Sequence, residues 1–217
     1  MKRLFYILVL AGTVAGCSKG PWEGPSRDDA PAEVKAIVTV KQDADGTTFF
    51  QLDDDTRVYP SNFAEPYTGL RRIVCGLLLS PDMTGCTVQW YDALEQGTVS
   101  GDALPETAVS DGVEVLEDWM TSVEDGFLTV HYSAWWGDGH TPHQLLVLTR
   151  LNPENPYELT LVHQRNGDEA LRRADSLIYF DINDLPSTQG DYVTLTLNWK
   201  NLDGEDASKN FRFRNRQ

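Results

Sequence analysis

Two of the chain's four histidines, one acid and two tryptophans fall within nine residues: Trp135-Trp136-Gly137-Asp138-Gly139-His140-Thr141-Pro142-His143. Imidazole and carboxylate donors at this density could hold a transition metal, with Asp138, His140 and His143 as ligands joined by His131, and such a metal would support hydrolysis. The His-x-x-His spacing in a Gly- and Pro-rich turn matches no standard zinc pattern. The plainer reading is a hairpin loop with glycines at strained positions and His143 opening the next strand. The same loop offers a second chemistry, because Trp135 and Trp136 could stack on a sugar or a peptide while polar neighbours set its orientation. Consecutive strand residues point to opposite faces, so only one of the two indoles is free to bind. Trp135, Trp136, Asp138, His140 and His143 are therefore read as a possible ligand-binding loop, with no metal, cofactor or catalytic residue assigned.

Other chemistries find less support. Asp53-Asp54-Asp55 and Asp203-Gly204-Glu205-Asp206 gather hard oxygen donors that calcium accepts, but neither has the alternating acids and closing Glu of an EF loop, and both read as solvated turns. No Gly-x-Ser-x-Gly or Ser-x-x-Lys motif is present. An enzyme is not expected; the alternative is a metal-dependent hydrolase built on the 138–143 loop.

The most specific chemistry lies at the start. Lys2 and Arg3 precede an apolar run over 4–10, then small residues, then Val14-Ala15-Gly16-Cys17. That order reads as a signal peptide over 1–16 ending in a lipobox, with the Cys17 thiol as the nucleophile that takes a diacylglycerol. Seven apolar residues are too few to cross a bilayer core as a helix. Cleavage before Cys17 leaves 201 of the 217 residues and makes a net charge of −15 more negative. So acidic a body has no electrostatic hold on anionic lipid or on nucleic acid, and the acyl chains, palmitate among them, must do the anchoring. The expected location is the cell envelope, most specifically the outer membrane.

Residues 17–34 are rich in Gly, Pro, Ser and charge and read as an acylated tether. Beyond them apolar and polar residues alternate, with turn signals every eight to twelve residues, which predicts an all-β protein. Strands over 36–42, 48–52, 57–59, 70–79 and 87–91 suit a small closed barrel in a domain spanning 35–104, with Phe49, Tyr59 and Trp90 in its core. Over 36–104 ten acids outnumber four bases, which argues against single-stranded nucleic acid on its surface. A soft stretch over 92–111 reads as the junction. Seven strands follow, over 113–120, 127–134, 144–150, 157–164, 177–182, 192–200 and 209–214, and fit a β-sandwich spanning 105–217. Residues 166–176 could hold a short helix or a long crossover. Cys75 and Cys86 flank a strand–turn–strand segment, so they are either a disulfide across a hairpin or two reduced, buried side chains.

Several segments carry a family resemblance. They are Ile37-Val38-Thr39-Val40, Phe50-Gln51-Leu52-Asp53, Arg57-Val58-Tyr59-Pro60 and Leu70-Arg71-Arg72-Ile73-Val74 in the first half. In the second they are Glu117-Asp118-Trp119, Phe127-Leu128-Thr129-Val130, His143-Gln144-Leu145-Leu146-Val147, the run from Leu161 to Asp168, and Tyr179-Phe180-Asp181-Ile182. With the lipobox, they make the chain resemble the NigD-like lipoproteins of Bacteroidetes over essentially its whole mature length. The resemblance implies an N-terminal OB-type domain, a C-terminal β-sandwich, and a bacteriocin-immunity-like or accessory role with an envelope protein or glycan as partner. The cysteine pair and the Trp135-Trp136 loop are departures from it.

Overall fold

A computed structural model describes residues 33–66, 68–69, 71–101, 110–137 and 139–215. The signal peptide, Cys17, most of the tether, Asp138 and the 104/105 boundary lie outside the described residues. No helix occurs among the described residues, and none is therefore long and apolar enough to cross a membrane.

The first five strands are β1 (Glu33–Gln42), β2 (Thr48–Gln51), β3 (Arg57–Pro60), β4 (Arg71–Leu79) and β5 (Gly85–Ala93). They close into a barrel in the order β1-β2-β3-β5-β4, with β1 long enough to pair β2 at one end and β4 along most of its length. Alternation explains the interior: Val38, Val40, Phe50, Val58, Ile73, Cys75, Leu77 and Cys86 point inward. The same parity corrects the expectation for two aromatics. Tyr59 follows the inward Val58 and is partly exposed, and Trp90 lies on the outside, its indole over Gly76 and its Nε1 donating to Glu33 Oε1 at 2.7 Å.

The cysteines are free, which corrects the disulfide alternative. Register sets Cys75 opposite Tyr91 and Cys86 opposite Leu79, so the two thiols are not cross-strand partners. Burial pushes them up to about 12 and about 11, so both stay protonated as small apolar fillers of the barrel core.

Ten strands follow: β6 (Glu95–Gln96), β7 (Thr98–Ser100), β8 (Glu114–Val115), β9 (Ser122–Glu124), β10 (Phe127–Trp136), β11 (Gln144–Leu148), β12 (Glu158–Gln164), β13 (Arg172–Asp181), β14 (Val193–Lys200) and β15 (Asp206–Phe213). One sheet runs β6-β13-β10-β8 with β9 also on β10; the other runs β15-β14-β12-β11-β7. The sandwich core comes from the inward parity of each long strand, including Leu128, Val130, Tyr132 and Ala134 of β10 and Leu195, Leu197 and Trp199 of β14. All seven expected segments contain strand, although 113–120 supplies only the two residues of β8. The stretch read as a junction adds β6 and β7, which pair in parallel with β13 and β11, so hydrogen bonding to the sandwich begins by Glu95. Residues 172–176, expected as helix or crossover, are the start of β13.

The barrel packs its outer face on the outer face of the first sandwich sheet. Thr39 and Arg72 on the barrel and Phe127, Thr129 and Tyr179 on the sandwich are all buried there. Arg72 Nη1 donates to Thr39 Oγ1 at 3.0 Å, its guanidinium lies over the Phe127 ring, and Glu124 Oε2 stands 3.9 Å from Nη2. Lys41 pairs with Asp125 at 2.6 Å, and Arg214 reaches Asp54 and Asp55 at 3.5 and 3.2 Å.

Candidate functional site

The histidine- and tryptophan-rich loop leaves the end of β10 and enters β11. Its two indoles part as alternation requires. Trp135 points outward and is 40% exposed, opposite Arg173 and near Leu171, which is 64% exposed. Trp136 continues the inward parity of Leu128, Val130, Tyr132 and Ala134 and turns to the end of the sandwich. Its Nε1 donates to the Ala174 carbonyl at 3.2 Å, and its ring stacks on His143 at 4.1 Å with 5° between planes.

His143 precedes Leu145 and Val147 with the same inward parity, and His163 follows Leu159 and Leu161 on β12 in the same way. Three strand ends thus bring Trp136, His143 and His163 to one place. His163 Nε2 and His143 Nδ1 are 3.0 Å apart, His143 Nε2 and Asp168 Oδ2 are 3.0 Å apart, and His163 Nδ1 lies 3.2 Å from the Gly112 carbonyl. His143 and Asp168 side chains are only 1% and 4% exposed, and His163 is fully buried.

Asp168 is fixed from the backbone. Gly137 N–H donates to Oδ2 at 2.7 Å and Glu169 N–H to Oδ1 at 3.0 Å. The Gly137 N–H chiefly, with the His143 side chain and the Glu169 N–H, holds the carboxyl below its usual range against the opposing effect of burial. Residue 137 must be glycine, because a Cβ there would come within 2.0 Å of Asp168 Oδ1. The turn that carries Asp168 puts Asn166 and Gly167 at positive φ, and Asn166 Nδ2 donates to the Pro142 carbonyl at 2.8 Å, tying the two loops together. On the far side, Asp111 bridges to His163 and accepts from Arg165 N and Nε at 2.8 and 3.1 Å. Burial pushes His163 down, with His143 and Arg165 adding to the effect and the Gly112 carbonyl and Asp111 opposing it.

The structure thus gathers part of the expected loop and separates the rest. His131 points away from the network and pairs Nδ1 with Asp118 Oδ2 at 2.6 Å. His140 is exposed, and Asp138 lies outside the described residues. The metal-hydrolase alternative needed His143 as a ligand, but both of its nitrogens are committed inside the protein. Among the described residues no group of three or more His, Cys, Asp or Glu is placed to hold a metal. The acidic runs are turns and ties: Asp53 Oδ1 accepts from Asp55 and Thr56 N–H, Asp54 Oδ1 accepts from Asp125 N–H, and Asp206 pairs with Lys200.

Sequence reasoning missed His163, Asp168 and the seam residues Arg72 and Glu124. The signal for His163 was its inward parity on an apolar strand. Asp168 sits in a loop, where periodicity is silent. Glu124 is pushed up to about 7, mainly by loss of water at the seam and further by Asp53, Asp54 and Asp125, with Arg72 opposing.

The geometry can be set beside known proteins. No curated protein matches the chain. Among solved structures, a protein of Parabacteroides distasonis whose name marks it as toxin-related superposes with a TM-score of 0.70 at 20% identity, covering 85% of this chain and 95% of that one. A NigD-like immunity protein of Bacteroides caccae superposes at 0.58 and 18% identity, covering 86% and 99%. A Bacteroides fragilis protein named as a lipoprotein superposes at 0.57 and 10% identity, covering 86% and 100%. At these identities the likeness is one of fold. The family model for the NigD-like C-terminal beta sandwich domain matches residues 98–213, just over half of the sequence, and the chain belongs to that family.

Proposed function

We propose that the chain is a non-enzymatic lipoprotein of the cell envelope, anchored through Cys17 and probing a protein or glycan partner with the end of the sandwich that carries Trp135. The observation that carries the binding half is the division of the loop: His143 is sealed inside against Asp168, while Trp135 and Leu171 stand exposed beside Arg173. An exposed indole beside a guanidinium offers an apolar face and a polar guide to a sugar ring or a peptide side chain. The anchor half is supported by the order of charge, short apolar run, small residues and Cys17, and by the fold shared with a protein named as a lipoprotein. The neighbour named as an immunity protein makes an immunity-like or accessory role the specific form of this reading, with an envelope protein or a glycan as the partner to be bound. The outer membrane is the proposed location.

Two experiments test the two halves separately. Globomycin should accumulate precursor, and Cys17→Ala should move the protein from the membrane to the soluble fraction; continued membrane retention of that variant defeats the anchor. Crosslinking in intact cells should trap a fixed partner that is lost with Trp135→Ala. An unchanged crosslinking pattern in that variant defeats the binding face.

A further inference from the structure

We propose that Asp168, His143 and His163 form a buried proton lock, in which one proton beyond those of two neutral imidazoles fastens the 137–143 loop and the 111–113 segment to the end of β12. The lock operates whatever the Trp135 face binds.

The protons of the row can be counted against the atoms they join. Three polar pairs follow one another: the Gly112 carbonyl with His163 Nδ1, His163 Nε2 with His143 Nδ1, and His143 Nε2 with Asp168 Oδ2. A carbonyl only accepts, so His163 Nδ1 carries a proton. Asp168 already accepts two backbone N–H groups, one on each oxygen, which is the environment of an ionised carboxylate, so His143 Nε2 carries a proton too. The pairing between the rings needs a third. Two neutral imidazoles bring only two protons, and the arrangement would then face lone pair against lone pair at 3.0 Å. Three protons on four ring nitrogens give one positive charge spread over the pair, balanced by Asp168, so the buried set is neutral as a whole. A fourth proton is equally excluded, because it would set N–H against N–H between the rings.

The two carboxylates that face the row favour this count, and the Arg165 guanidinium opposes it. From the turn after β12 comes Asp168; from the 111–113 segment comes Asp111, which faces His163; from the end of β12 comes Arg165, which pairs with Asp111; and Glu169 contributes its backbone N–H. Trp136 from β10 closes the remaining side by stacking flat on His143, an arrangement that suits a cationic ring. Neither ring has water as an alternative partner at this burial, so gain or loss of one proton must move a segment rather than rehydrate a side chain. The segments able to move are the two that the row joins: the loop carrying Gly137 and His143, and the 111–113 segment, whose Asp111 and Val113 N–H groups donate to His163 O and Lys200 O.

The test is made on the full chain in detergent, labelled with ¹⁵N-histidine, with His131→Gln and His140→Gln variants to assign the other two rings. Ring-nitrogen shifts should show three protonated nitrogens on His143 and His163 together at the acid end of the range in which the protein is folded, falling to two as pH rises. Amide exchange at Gly137 and Asp111, corrected for its intrinsic pH dependence, should accelerate by about tenfold or more through the same transition. Two protonated nitrogens, or four, at every pH where the protein is folded would overturn the shared proton. A fall from three to two with no change in exchange would overturn the fastening.

Discussion

Charge is buried in two regions of this molecule, and they are built on opposite terms. At the end of the sandwich the charged row is complete: each nitrogen of His143 and His163 and each oxygen of Asp168 meets a partner. At the seam between barrel and sandwich it is not. Arg72 is 1% exposed with Nε and Nη2 lacking hydrogen-bond partners, and Asp125 Oδ2 lacks one as well. A satisfied network specifies one arrangement of its loops, whereas an unsatisfied buried ion carries a desolvation cost that its Coulomb partners only partly offset. The sandwich end should therefore be the more rigid of the two and the more damaged by truncation.

Truncation at the complete row gives the largest expected effect. His143→Ala removes the ring that joins Asp168 to His163 and takes away the stacking surface of Trp136. With two charge-assisted hydrogen bonds removed and a cavity in place of the ring, the destabilisation should be about 3 kcal/mol or more, read from urea unfolding. Gly137→Ala comes next. The new methyl meets Asp168 Oδ1, on a carboxylate held in place by three donors, so the loop must shift at a cost of about 1–3 kcal/mol.

The seam should respond less and in a different way. Arg72→Met replaces an under-bonded guanidinium with an apolar chain over Phe127, and stability should change by no more than about 1 kcal/mol. A loss equal to that of His143→Ala would erase the distinction between the two regions. The seam also predicts a pH dependence. Glu124 is raised from 4.5 to about 7 in the fold, so the folded protein holds this proton where the unfolded chain has released it. Its contribution is fully present below about pH 4.5 and is lost as pH rises through about 7. Glu124→Gln should flatten that part of the stability profile. Added salt should weaken the exposed side of the same seam, where Arg214 meets Asp55, and leave the buried row untouched.

How far these regions were legible follows from where each residue sits. The all-β class, the barrel and the sandwich were readable because period-two alternation is the direct imprint of a half-buried strand. That alternation also placed Trp135 and Trp136 on opposite faces and, carried one step further, aligns Trp136, His143 and His163 at the same end. Pairings formed between loops left no such imprint: Asp168 follows a turn at Asn166-Gly167, and nothing periodic announces that it meets His143 twenty-five residues away. β6 and β7 were missed because two- and three-residue parallel pairings have no pattern of their own. Nothing in the sequence singled out Arg72, because the surface that buries it belongs to another part of the chain. The cysteines were ambiguous because a hairpin fixes which strands are neighbours without fixing which residues are opposite.

Trp135→Ala should have the smallest effect on stability. Its indole is 40% exposed on the outer face, and its removal disturbs neither the row beneath nor the core, so unfolding should shift by about 0.5 kcal/mol or less. The same substitution should abolish partner crosslinking, which separates the two faces of one strand end. Trp136, one residue on, should behave in reverse: Trp136→Ala uncovers His143 and should destabilise the sandwich more than its neighbour does. If the two substitutions proved equally harmless to the fold, the sealed side of the loop would be no more structural than the open one. The division between a locked interior and a binding exterior would then have no physical basis.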